Sequence, residues 1–143
     1  MSKTRFILLA EDNPNDAELV ISALEEQGLD SQVMVVNDGV EVIDFLRGSG
    51  KFSSRRKEYP AVIFLDIKMP KMTGIEALEI IKTDTLLKFI PIVMLTSSRE
   101  EADLIKCYEL GVNAFVVKPV DFSEFLETVE RLATFWISIN ELP

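Results

Sequence analysis

The sequence contains no histidine and a single cysteine, Cys107, so a His/Cys zinc site is excluded in practice and no disulfide can form within the chain. Cys107 reads instead as a small buried hydrophobe. Cations are also scarce: 15 Lys and Arg stand against 24 Asp and Glu, a formal net charge of −9. Phosphate backbones are held by clustered positive charge, so nucleic acid is not an expected partner. The one dense basic run, Arg55-Arg56-Lys57, sits among serines and reads as a solvated loop. Although 48% of the residues are hydrophobic, no run approaches the ~20 apolar residues of a membrane span, and the patch that follows MSKTR is too short for a signal peptide. The expected location is the cytoplasm. With 143 residues the chain has room for one domain and a short appendage.

What the chain does have is a regular alternation. RFILLA, QVMVV, AVIFL, PIVML and AFVV are short runs rich in β-branched and aromatic residues, which suits strands covered on both faces. Between them lie helical patterns. Ala17, Val20, Ile21 and Leu24 fall at i, i+3, i+4 and i+7, and less strict sets span 40–46, 75–81 and 102–110. A fifth stripe joins Phe122, Phe125, Leu126, Val129, Leu132, Ala133 and Trp136, the expected core face of the last helix. Five strands alternating with five helices predict a doubly wound α/β domain, a parallel sheet with helices on both faces and right-handed crossovers. The polar segment 48–60 predicts a lengthened surface loop.

Chemistry collects after the strands. The first run leads into Glu11-Asp12, the third into Asp66, the fourth into Thr96-Ser97-Ser98 and the fifth into Lys118-Pro119. In an open sheet of order 2-1-3-4-5, ligands bind beyond the carboxyl ends, where the order reverses between the first and third strands. Glu11, Asp12 and Asp66 then share one crevice, where like charges resist common ionisation unless a divalent cation or a lysine compensates them. Few oxygen ligands, with places left for water and a phosphate, suit Mg²⁺ better than calcium or zinc, and Lys118 supplies a second cation. Such a carboxylate can attack phosphorus, which makes Asp66 the candidate phosphoacceptor, with Lys118 and the Thr96 hydroxyl each meeting a phosphoryl oxygen.

Together, the acid pair Glu11-Asp12, the stretch LDIKMPKMTG, the Thr96-Ser97 step, Phe115 and Lys118-Pro119 resemble the receiver domains of two-component response regulators, over residues 5–133. The resemblance implies a flavodoxin-like receiver fold over 1–137, a short tail at 138–143 and no output domain. It also implies Mg²⁺ held by Asp12, Asp66 and the main-chain carbonyl of Lys68, with Glu11 acting through water, and a cis bond between Lys118 and Pro119. The implied partner is a histidine kinase that phosphorylates Asp66. The implied response is a two-state switch in which Thr96 moves onto the phosphoryl group, Phe115 turns inward and the face of the fourth and fifth helices is remodelled. The protein is then a signalling module that catalyses nothing beyond its own phosphorylation and dephosphorylation. In loop spacing the chain is most similar to stand-alone regulators that partner cyanobacterial and bacterial phytochrome kinases, which form homodimers through the fourth- and fifth-helix face. Phe135, Ile137, Ile139 and Leu142, outside the last helical stripe, predict that a C-terminal tail joins such an interface.

Two positions depart from the family pattern: Phe115 lacks the hydroxyl of the tyrosine common there, and Lys68 replaces a smaller polar residue beside the path of the hydrolytic water. Other readings of Asp66 remain open at this level. A flavin binder of this architecture needs a Ser/Thr/Gly-rich phosphate loop where the chain has EDNPND. A dehalogenase-type phosphohydrolase needs a second Asp where Lys68 stands. A receiver-like interaction module that has lost phosphorylation would use Asp66 only as a cap or an ion-pair partner.

Overall fold

In the computed structural model, which describes residues 5–29, 32–55 and 58–143, the strands are β1 (Ile7–Ala10), β2 (Val33–Val36), β3 (Val62–Leu65), β4 (Ile92–Thr96) and β5 (Ala114–Val117), all parallel and in the order β2-β1-β3-β4-β5. The helices are α1 (Pro14–Glu26), α2 (Gly39–Arg47), α3 (Gly74–Thr83), α4 (Glu101–Glu109) and α5 (Phe122–Ala133). The expected doubly wound five-stranded sheet is therefore found, and among the described residues no helix is long and apolar enough to cross a membrane.

Alternate strand residues feed opposite faces. Leu8, Ala10, Ile63, Leu65, Ile92 and Met94 pack with Val42, Phe45 and Leu46 of α2, Leu78 and Ile81 of α3, and Cys107 of α4. Ile7, Leu9, Val62, Phe64, Val93 and Leu95 pack on the other side, against Val20 and Leu24 of α1 and Phe125, Val129 and Ala133 of α5. The central strands are buried throughout because helices cover both faces. Cys107 is the buried residue of α4, as its solitary place in the sequence suggests.

Side-chain caps set the helix starts. Asn13 accepts from the amides of Asn15 and Asp16, with Pro14 at the first helical position. Asp38 caps α2, Asp121 caps α5, and Thr73 with Glu76 forms a capping box on α3. Gly48 ends α2 in the left-handed region at φ 65°.

Three local expectations need correction. Phe122, assigned to the core stripe, is 57% exposed, because the first turn of α5 begins beyond the end of the sheet. The described part of the 48–60 segment is the lengthened surface connection expected, pinned at one point by Phe52, which is buried with its ring 5.2 Å from that of Phe45. Arg55 lies 3.9 Å over the Phe45 ring and donates to the carbonyls of Phe45 and Glu58, so it is no solvated charge, while Arg56 and Lys57 lie outside the described residues. The Lys118–Pro119 bond is trans, the isomer that X-Pro chemistry favours by ~0.5–1 kcal/mol.

Beyond α5 the chain continues as a π-helical turn, Thr134–Ile139. Ile137 is buried, and Trp136 and Leu142 pack against the α1/α5 side of the core. The Arg5 guanidinium donates to the carbonyls of Ile137 (2.9 Å) and Asn140 (3.0 Å), which ties the tail to the start of β1. Phe135 and Ile139 remain exposed.

Candidate functional site

The register of the sheet brings the acidic groups together. Ala10 pairs with Leu65, so the residues that leave β1 and β3, Glu11 and Asp66, emerge side by side, and the Asp66 amide donates to the Ala10 carbonyl. One ligand oxygen from each of Glu11, Asp12 and Asp66 lies within 4.8 Å of the others. Asp12 faces water, while Glu11 and Asp66 are buried. On the far side, Lys118 follows β5 and its amide donates to the Thr96 carbonyl at 2.7 Å, which carries its side chain over the end of β4 toward the acids.

Lys118 Nζ contacts Glu11 Oε1, Asp66 Oδ2 at 3.0 Å and Asp16 Oδ2 at 3.0 Å. Burial alone would push the ammonium down, yet the bond to Glu11, the charge of Asp66 and the bond to Asp16 outweigh it and hold Lys118 above its ordinary pKa. Burial likewise pushes Glu11 up, to about 7, with the Asp66 charge adding to the rise and Lys118 opposing it. The two directions agree: three carboxylates face one ammonium, so the lysine stays charged while the most buried acid gives up its proton reluctantly.

Asp66 Oδ1 is the telling atom. It is buried and accepts no hydrogen bond from the protein, whereas Oδ2 is held by Lys118. A buried carboxylate oxygen without a donor is costly, and such a group marks a place where a ligand completes the environment. The donor set of hard oxygens, with this orphaned one among them, fits a divalent cation.

Thr96 is fully buried at the end of β4, and its Oγ1 accepts from the Ser98 amide at 3.2 Å. Ser98 Oγ in turn donates to Asp103 Oδ2 at 2.7 Å, so a short polar chain runs from the site into α4. Phe115 is half-buried on β5 opposite Met94. Lys68 is exposed in the loop that leads from Asp66 to α3. That loop is tightly fixed: the Gly74 amide donates to Ile67, and a Cβ on Gly74 would lie 2.0 Å from the Asp66 carbonyl oxygen.

The structure thus gathers Glu11, Asp12, Asp66, Thr96 and Lys118, with Phe115 on the adjoining strand. Two members of the site were not singled out from the sequence. Asp16 lies in the first turn of α1, and nothing in its local sequence marks it, since its place in the site is set by Lys118. The Ser98–Asp103 link offered no signal either, since a serine in a strand-to-helix loop is ordinary.

A protein-family model, the response regulator receiver domain, matches residues 7–130. Response regulator Rcp1 of Synechocystis is 34% identical over 139 residues, which cover 97% of this chain and 93% of Rcp1. Its Mn(2+)-bound crystal structure superposes with a TM-score of 0.89 at 34% identity, covering 97% of this chain and 99% of that one. The phosphorylated cyanobacterial phytochrome response regulator RcpA gives a TM-score of 0.91 at 35% identity, with 99% of each chain covered. The bacteriophytochrome response regulator AtBRR is 50% identical over 98% of this chain and 100% of its own, with a TM-score of 0.77.

Proposed function

The chain belongs to the response regulator receiver domain family, and from that premise we propose that it is a single-domain response regulator that accepts a phosphoryl group on Asp66 from a partner histidine kinase. The observation that carries this reading is the buried Asp66 carboxylate, one oxygen on Lys118 and the other without a protein donor, beside Glu11 and Asp12.

Glu11, Asp12 and Asp66, with the Lys68 main-chain carbonyl, would hold a Mg²⁺ ion, which when bound offsets the negative charge of the acids and of the phosphoryl oxygens. An Asp66 oxygen forms the new bond to phosphorus as the P–N bond of the donor phosphohistidine breaks. The electron pair returns to the ring nitrogen, and a solvent proton completes the neutral imidazole. Because this chain has no histidine, the donor belongs to another protein. Lys118 meets one phosphoryl oxygen and the Thr96 hydroxyl another. Movement of Thr96 pulls on Ser98 and Asp103, and Phe115 turns into the space vacated, so the signal leaves through the α4 and α5 side.

RcpA and AtBRR are described as regulators of phytochromes, at 35% and 50% identity and full-length coverage. On that similarity the partner of this chain is a phytochrome-type histidine kinase; we further propose that the regulator works in the cytoplasm and as a homodimer, the latter on the exposed apolar side chains Phe135, Ile139, Leu104 and Ile105. Domain limits of 1–137 and 138–143 belong to the same reading, although Ile137 and Leu142 pack as one body with the domain.

Acetyl phosphate with Mg²⁺ should add one phosphoryl mass to the intact protein, and Asp66→Asn or EDTA should abolish the gain. Labelling of Asp66→Asn at the wild-type rate would sink the proposal.

A further inference from the structure

An ammonium has three donors, and those of Lys118 meet three carboxylates, Glu11, Asp16 and Asp66. On the receiver reading, on which this inference rests, Lys118 must also meet an oxygen of a phosphoryl group carried by Asp66. The Asp66 contact passes to the phosphoryl group that Asp66 then carries, and the ammonium has to shift toward the phosphoryl oxygen against the hold of its two other carboxylates. The side chains of Glu11 and Asp66 are 4% and 9% exposed, whereas that of Asp16 is 31% exposed. Of Glu11 and Asp16, Glu11 is the drier, and its contact is the harder for Lys118 to break. Parting it from Asp16 returns a carboxylate to water.

Asp16 is also well placed to lose its lysine. It lies in the first turn of α1, where the helix N-terminus favours a negative charge, and its amide is fixed by the Asn13 side chain at 3.3 Å. Its backbone position is therefore set by the cap and does not depend on Lys118.

We propose that Asp16 is the displaceable counter-ion of Lys118: it competes with the phosphoryl group for the ammonium and so sets how tightly this chain holds that group. Asp16 is a positioning residue, since it acts through Lys118 and touches neither the phosphorus nor the attacking oxygen.

Beryllofluoride with Mg²⁺, a phosphoryl mimic, is the probe. Asp16→Asn should bind it more tightly, on the order of threefold, the scale of a half-exposed ion pair. Asp16→Glu, which restores the charge, should return toward the wild-type affinity. Glu18→Gln removes an equal charge from an exposed position on the same helix that Lys118 does not contact, and it should leave the affinity unchanged. If Asp16→Asn and Glu18→Gln shift the affinity equally, the effect is a general field and the proposal falls. Unchanged or weaker binding by Asp16→Asn overturns it as well. The ¹⁵N–¹H signal of the Lys118 ammonium, read in the protein alone, should move in Asp16→Asn and not in Glu18→Gln. Failure of the wild-type protein to bind beryllofluoride or to be labelled by acetyl phosphate is a different result, and that one overturns the receiver reading itself.

Discussion

Burial decides the chemistry of individual residues here by what stands opposite them. Glu11, Asp66 and Lys118 are all nearly dry; the ammonium meets both acids and stays charged, while burial still raises Glu11 to about 7. Cys107 is equally buried and has no such partner. Burial, with the Asp103 charge adding to it, pushes its thiol from 9.0 to about 11. A folded pKa above the unfolded one contributes stability that is complete below pH 9 and is lost as pH rises through about 11. Two outcomes follow for Cys107. At pH 8 a disulfide-exchange reagent should label it only on unfolding, because the thiolate is both scarce and shielded. Fast labelling of the native protein would show that α4 opens far more readily than its packing implies. At this scale the sequence was most legible where a strand ended on a charged residue, which is why Glu11, Asp66 and Lys118 could be named beforehand. Asp16 could not, because its role depends on a lysine 102 positions away that reaches across two strand ends.

Elements were legible in proportion to how much of their character is local. The strands announced themselves by β-branched runs, and the caps Asn13, Asp38, Thr73 and Asp121 stand where helix starts need them. The π-helical turn after α5 and the docking of Phe52 and Arg55 on Phe45 were not legible, since both are set by tertiary contacts. Glycines separate the two kinds of information well. Gly48 serves its own helix end: its φ is positive, and an added Cβ would meet nothing nearer than 3.9 Å. Gly74 serves the site, because its Cβ would collide with the Asp66 carbonyl at 2.0 Å. Gly48→Ala should therefore cost only ~1 kcal/mol, the strain of a left-handed alanine. Gly74→Ala should cost ~3 kcal/mol or more by overpacking and should also slow acetyl phosphate labelling, because the backbone of Asp66 has to move. Urea midpoints and labelling rates measured on both variants test this. Equal losses of stability with unaltered labelling would mean that the loop after Asp66 tolerates displacement.

The whole molecule is a sheet with two sealed faces, and what it leaves uncovered bears on assembly. From sequence, the last residues looked like an unpacked apolar tail. In the fold, Ile137 and Leu142 are taken up by the α1/α5 side of the core, held in part by Arg5. The exposed remainder is smaller: Phe135 at 44% and Ile139 at 62%, flanking a shallow groove with Gln27, Glu130 and Thr134. Leu104, Ile105 and Tyr108 add exposed apolar surface on α4. Two side chains from the tail cannot supply the ~800 Å² per partner of a stable interface, so a homodimer has to recruit α4 and α5 surface as well. An acidic chain also gains from an apolar contact at the centre, since the charge of −9 otherwise opposes association. Truncation after Ala133 is a poor test because it strips Trp136 and Ile137 from the core. The double substitution Phe135→Ser with Ile139→Ser keeps Trp136 and Ile137 in the chain and gives up only the edge-to-face contact of Phe135 with the Trp136 ring. In sedimentation equilibrium the wild-type protein should be dimeric at micromolar concentration, and the double variant should shift toward monomer while its melting temperature stays close to the wild-type value. Retention of the dimer would confine the interface to the α4 and α5 surface, and a wild-type monomer at high micromolar concentration in both phosphorylation states would remove the assembly altogether.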